Sequence, residues 1–180
     1  MVYFIFGRGE LFKDNWVYVH SPEVKVARIQ NYKNWSPDMS KDPEKSPLGL
    51  EYFCSEWDSL WRQADEEIIE FAGQELEKLK IADARDVLDA FVLRVPKAYP
   101  VYESDYRQAL AAIRDFIGRF SNLKCMGRYG MFRYNNMDHS ILTGFLAAES
   151  ILGSKKDAWD INIYRSYHEE LEETSDAQFS

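Results

Sequence analysis

Cysteine is scarce in this sequence: its 180 residues hold two, Cys54 and Cys125, far apart and outside any C-x-x-C pair. A disulfide scaffold is therefore unsupported, and the two read as free, buried thiols of a reducing cytoplasm. The three histidines, His20, His139 and His168, are too scattered to suggest a metal centre by spacing. No apolar run reaches the length of a membrane span, and no signal peptide is visible, which argues against the membrane. Positive charge is also short. Lys and Arg total 22 against 30 Asp and Glu, a net of −8, with no basic face to favour nucleic acid or an anionic bilayer. Hydrolase chemistry has no support either, since no Gly-x-Ser-x-Gly elbow is present and neither cysteine neighbours a histidine.

What the chain does have is apolar and aromatic mass. Hydrophobic residues make up 46%, and 11 Tyr, 11 Phe and 5 Trp raise the aromatic share to 15%, enough to build a core and to line a cleft. The pattern reads as one α+β body over residues 1–157, with a mainly antiparallel sheet and packed helices. An irregular acidic tail over 158–180 carries Glu169, Glu170, Glu172, Glu173 and Asp176.

The first third is strand-like. Val2 to Phe6 is a continuous apolar run, which predicts a strand buried on both faces. A strand this early is read as a sign that further structure precedes it. Asn15 to His20 and Glu23 to Gln30 predict two more strands, the second alternating with Val24, Val26 and Arg28 on one side. Residues Asn34 to Leu48 read as a loop in which Pro37, Pro43 and Pro47 exclude a helix, and Leu50 to Cys54 as a strand completing a meander. A helix is predicted from Ala64 to Leu79, capped by Asp65, followed by a long strand from Asp86 to Val95. A second helix, Asp105 to Phe120, has Ser104 as its cap and Ala109, Ile113, Phe116 and Ile117 as its buried stripe. A short strand is expected over Asn122 to Met126, and a third helix over His139 to Leu152, closed by Gly153.

The most informative stretch joins that strand to the third helix: Gly127-Arg128-Tyr129-Gly130, then Tyr134-Asn135-Asn136-Met137-Asp138-His139-Ser140. A helix start offers free N–H groups and partial positive charge, suited to an electron-rich carbonyl or a phosphate. Glycines let backbone approach a ligand, Arg128 brings a permanent planar donor fork, and Asn135, Asn136 and Asp138 are capping residues. On these residues alone, an ordinary capped helix after a glycine turn explains the pattern as well as a binding site does.

This strand, Gly-Arg, Tyr-x-Asn-x-Asp-x-Ser and helix order resembles the last FAD-binding segment of FAD-dependent oxidoreductases of the amine oxidase and protoporphyrinogen oxidase kind, and above all their UDP-galactopyranose mutase-like relatives. The resemblance extends upstream through Phe12 to His20, Arg28 to Asn31, Asn34 to Pro37, Gly49 to Phe53 and Arg94 to Tyr102. It implies a flavin-facing set of Gly127, Arg128, Tyr134, Asn136, Met137, Asp138 and His139. It also implies a substrate cavity drawing on Trp35, Arg94, Lys97, Tyr99 and Tyr102, with Arg94 and Lys97 suited together to an anionic substrate group. FAD is the implied cofactor, a small molecule the implied substrate, and no catalytic side chain is named because the flavin is the reactive group.

The family's opening strand, G-x-G-x-x-G turn and helix are missing. Gly7-Arg8-Gly9-Glu10-Leu11-Phe12 follows a strand but lacks the third glycine. The chain thus reads as the substrate-side, C-terminal part of such an enzyme without its Rossmann half: inactive by itself, weak or silent toward FAD, and in need of the missing domain or polypeptide. The competing reading is a non-enzymatic interaction module or one half of a split enzyme. Either would leave an apolar face near Val2 to Phe6 and the Gly127 loop, favouring a homodimer.

Overall fold

The computed structural model describes residues 1–161. The chain divides into two compact units, Met1–Pro96 and Lys97–Ser180, a boundary that the sequence reading, with one body to residue 157, does not contain. The protein is α+β.

The first unit is built on five strands: β1 (Val2–Phe6), β2 (Trp16–Tyr18), β3 (Arg28–Asn31), β4 (Ser46–Glu51) and β5 (Val87–Val92). All neighbours are antiparallel, in the order β2-β3-β4-β1-β5. The meander holds only for β2-β3-β4. β1 inserts between β4 and β5, pairing Val2 with both Leu50 and Val92. It is buried on one face, not two: Val2, Phe4 and Phe6 enter the core, while Tyr3 and Ile5 lie half-buried on the other side.

Three short or medium helices accompany the sheet: α1 (Tyr32–Trp35), α2 (Ser59–Arg62) and α3 (Asp65–Lys78). α3 lays Ile68, Ala72 and Leu76 against Phe4, Phe6, Ile29, Leu48 and Leu50, the i, i+4, i+8 stripe that closes the core. Its cap is Ala64 rather than Asp65. Ala64 N–H donates to the Glu67 carboxylate at 3.3 Å, so Asp65 is the first helical residue. The buried Glu75 ties α3 to the chain entering β3: its carboxylate accepts from Lys25 N–H (2.5 Å), Val26 N–H (3.0 Å) and the Tyr52 hydroxyl (3.0 Å).

Several local expectations are corrected. The loop over 34–48 holds the end of α1, a short 3₁₀ turn at Pro37–Met39 and the start of β4. Proline at N1 suits such a turn because the missing N–H has no intrahelical partner there. Pro47 fits in β4 because pairing with β3 begins only at Leu48. The strand expected over 50–54 therefore runs from 46 to 51, and that over 86–95 shrinks to 87–92. Strict alternation over 23–30 fails: Val26 and Ile29 are both buried, and only Arg28–Asn31 forms the strand.

The second unit contains α4 (Tyr106–Ile117), α5 (Gly127–Gly130) and α6 (Met137–Ile151), with a 3₁₀ turn at Ala158–Asp160. α4 starts after Asp105, not Ser104, without a side-chain cap bond. Its expected stripe is not buried. Ala109 is exposed, Ile113 and Phe116 are 54% and 57% exposed, and Ile117 is half-buried. No strand forms over 122–126; that segment is irregular and delivers the chain to α5. α6 begins two residues before His139 and buries His139, Thr143 and Ala147. Gly153 adopts φ +97 just past its end, the left-handed residue a helix terminus favours. Most of the expected acidic tail, from 162 on, lies outside the described residues. The two thiols are unbonded and half-buried, one in each unit.

Candidate functional site

In the second unit, the site is made by the way the backbone turns at Gly127. That residue has φ +73, which an L side chain rarely adopts, although a Cβ there would meet no neighbour within 4 Å. Glycine is needed for the dihedral, not for space. Gly127 N–H donates to Thr143 Oγ1 of α6 at 2.9 Å, and Thr143 Oγ1 in turn donates to Ser140 O at 2.7 Å. The start of α5 is thereby pinned to the first turns of α6.

Arg128 follows in α5. Its Nε donates to Asn135 O at 3.0 Å, folding the segment 128–135 back on itself. Its guanidinium carbon lies 4.6 Å from the Tyr134 ring centroid and 5.3 Å from that of Tyr99, and the two rings stack at 5.8 Å with 13° between planes. A guanidinium over tyrosine faces is held by the ring quadrupole. Tyr102 completes the group: its hydroxyl accepts from Tyr134 N–H at 2.7 Å, leaving its own proton to donate elsewhere. Burial raises the Tyr102 pKa, partly offset by that amide, so the phenol is neutral at ordinary pH. Four expected site residues, Tyr99, Tyr102, Arg128 and Tyr134, are thus brought together by direct contact.

α6 opens beside them in sequence. Its first intrahelical bond is Ser140 N–H to Asn136 O at 3.0 Å, so the amides of Met137, Asp138 and His139 precede the ladder. The Met137 and Asp138 side chains are exposed. His139 is buried and turned to local work: its Nδ1 accepts from Asn136 N–H at 3.3 Å and lies 3.4 Å from the Asp138 carboxylate. Asn136 is the N-cap residue, as its position implied. Asn135, expected as a capping residue, is buried beside Met131 instead, its Nδ2 3.9 Å from Met131 Sδ.

The remaining expected residues fall elsewhere. Lys97 is exposed with φ 54. Arg94 belongs to the first unit and is engaged there: Nη1 meets Asp65 at 2.5 Å, Nη2 donates to Gln63 O at 2.7 Å and Nε to Trp61 O at 3.0 Å. Trp35 stacks on Trp16 at 4.7 Å on the sheet face opposite the core.

That outer sheet face is more developed than the sequence suggested. Tyr3 stacks between Phe91 (4.6 Å) and Tyr32 (5.9 Å). Between this cluster and the Trp16–Trp35 pair lies a polar strip in which Glu51 accepts from Arg28 Nη2 at 2.6 Å and Gln30 Nε2 at 2.8 Å. Gly49 makes room for Tyr32: a Cβ there would lie 2.6 Å from its hydroxyl oxygen. Burial, then the Tyr3 hydroxyl, pushes the Tyr32 pKa well up. Reasoning from sequence missed Arg28 and Glu51 as a pair. The available signal was a charged residue within each of two strand-like runs, cross-strand partners once the register is known. The rejected Gly7 to Phe12 loop opens no helix, and the Gly9 carbonyl accepts from Lys33 Nζ and Ser46 Oγ.

No family model matches this sequence, and no curated protein matches it. Among solved structures it is similar to one described as the crystal structure of reduced UDP-galactopyranose mutase, with a TM-score of 0.68 at 19% identity. The match covers 86% of this chain and 34% of that one, so the chain spans about a third of that protein's length. At this identity the likeness is one of fold.

Proposed function

We propose that this chain is the substrate-side part of an FAD-dependent enzyme related to UDP-galactopyranose mutase, and that it contributes one segment of the flavin site. The observation that carries the reading is the joint arrangement of Gly127, Arg128 and the start of α6. A left-handed glycine lets a ligand approach the backbone, a guanidinium is held by Asn135 O and two tyrosine rings, and a helix N-terminus follows in the same segment. These groups fit an electron-rich heterocycle carbonyl or a phosphate oxygen, which is what a flavin dinucleotide presents. Bound flavin would supply the redox chemistry, by default hydride transfer from a substrate C–H or C–N centre. The chain's own groups would bind and orient. Arg128 donates from a fixed plane, and neutral Tyr102 has a free O–H. The outer sheet face, with Trp16, Trp35 and the Arg28–Glu51–Gln30 strip, offers stacking and hydrogen bonding to a polar substrate.

A second reading, mutase chemistry on reduced flavin, is favoured by the fold neighbour, whose own description is of a reduced mutase. In either case the partner on this reading is a nucleotide-binding domain of the Rossmann kind, and the match leaves about two thirds of that longer protein without a counterpart in this chain.

Amide chemical-shift mapping with FAD tests the reading and detects weak binding. Shifts confined to Gly127, Arg128 and Asn136 to His139, and abolished by Arg128→Ala, are expected. Shifts centred elsewhere, or shifts that survive Arg128→Ala, would remove the flavin from this segment.

A further inference from the structure

Arg133 lies inside the segment that carries the candidate site, yet its guanidinium is spent outside it. Nη1 donates to Trp159 O at 2.6 Å and to Ile161 O at 2.7 Å. The same guanidinium stands 5.7 Å from the Trp159 ring, which Arg114 of α4 approaches at 4.2 Å while also facing Asp157 at 3.8 Å. The turn Ala158–Asp160 is therefore gripped by two arginines through one indole and two carbonyls. Asp157 closes it locally, accepting from Trp159 N–H at 3.0 Å.

The segment gripped in return is one that needs holding. Phe132 has φ 47, a left-handed conformation unfavourable for a residue with a Cβ. Its neighbours are bonded in a closed circuit. Arg133 N–H donates to Arg128 O at 3.1 Å, Asn135 N–H to Arg133 O at 2.8 Å, and Arg128 Nε to Asn135 O at 3.0 Å. Consecutive residues thus serve two partners: Tyr134 stacks with Tyr99 beneath Arg128, and Arg133 reaches the turn at 158–161. Charge-assisted bonds to carbonyls are the strong kind, and two from one nitrogen fix its side chain closely.

We propose that Arg133 and Trp159 are positioning residues: they latch the turn at 158–161 onto the segment 131–136 and so hold Arg128 and the start of α6 in the arrangement that receives the ligand. The role at a ligand site rests on the flavin reading above; the latch itself does not. It touches no ligand and acts through the backbone of 128–135.

Amide hydrogen exchange on the full chain tests it, because every amide from Met131 to Asn135 is hydrogen-bonded in the native state. In Arg133→Ala these five amides should exchange faster by about tenfold or more, the factor one lost charge-assisted bond represents, while the amides of β1 and β4 keep their rates. Trp159→Ala should loosen the same five, and Trp159→Phe, which keeps a ring for the two arginines, should restore most of the protection. Should Arg133→Ala unfold α6 altogether, Arg133→Lys decides, since an ammonium keeps the charge but not the planar fork. Faster exchange confined to 131–135 supports the latch, and wild-type rates in both Arg133→Lys and Trp159→Ala overturn it. FAD mapping on the same variants separates the two ideas. Loosened exchange in variants of a protein whose FAD shifts fall elsewhere retains the latch and removes the flavin from this segment. Wild-type exchange beside intact FAD shifts does the reverse.

Discussion

Met1–Pro96 encloses ten apolar side chains between one sheet face and α3. The described part of the second unit buries three, Met131, Ala147 and Ala158, beside the polar Asn135, His139 and Thr143. The first unit is organised as a core with a polar strip on its far face. The second is organised by a hydrogen-bonded circuit and by arginines on aromatic rings. α6 makes the contrast plainest. Opposite its buried stripe of His139, Thr143 and Ala147 it carries Met137, Ile141 and Phe145, with Met137 80% and Phe145 64% exposed. A helix apolar on both flanks belongs in a covered position. The difference teaches that the hydrophobic core and the proposed ligand-facing segment are lodged in different parts of this chain.

The largest expected effect tests the core. Leu76→Ala, at a fully buried site on α3, should cost about 3–5 kcal/mol in denaturant unfolding. A cost near zero would mean that the sheet and α3 are not one cooperative body. The next effect is a pH dependence. Burial first, then the Glu75 carboxylate, raises the Tyr52 pKa far above its ordinary 10.0. A raised folded-state pKa gives stability that is complete below pH 10 and lost as pH climbs above it, because only the unfolded chain gives up the proton there. The free energy of guanidinium unfolding should fall between pH 9 and pH 11, by up to about 1.4 kcal/mol per pH unit for one tyrosine. In Tyr52→Phe the fall should be shallower; an equal fall would assign the alkaline loss to other groups. The smallest effect lies on α4. Phe116→Ser should change stability in denaturant unfolding by no more than about 0.5 kcal/mol. A loss comparable to that of Leu76→Ala would erase the distinction between the units.

Much of this was legible from residue order, and the failures have physical causes. α3 shows cleanly because an i, i+4, i+8 stripe matches the helical period, and β1 shows as a strand because its apolar run is too short for a helix, although a run without a period does not reveal that only one face is buried. The insertion of β1 between β4 and β5 is a non-local pairing that no window reveals. The Leu-Lys-Cys-Met run at 123–126 looked like a strand but has no sheet neighbour to complete it, and a strand without a partner is not a strand. α4 shows the opposite case: its apolar stripe is real but exposed, since amphipathicity says which side wants cover, not whether cover is present. At the candidate site, Gly127, Arg128 and the Asn136 cap were readable from type and spacing. The stacking of Tyr99 on Tyr134 and Arg128 and the grip of Arg133 on residue 159 depend on contacts 26 to 35 residues apart and were not.

The central place of β1 also sets a schedule. Its partners are Ser46–Leu50 on one side and Val87–Val92 on the other. Of these three strands β1 leaves the ribosome first and is fully paired last. β2, β3 and β4 can zip as a local ribbon meanwhile and offer β1 one edge, but its other edge stays open until residue 92 has emerged. For that interval the run Val-Tyr-Phe-Ile-Phe is an uncharged strand with one free edge, the kind of segment that seeks any other strand. Slow synthesis between residues 51 and 87 would lengthen the exposure, and a holdase that favours such strands would shorten its consequences.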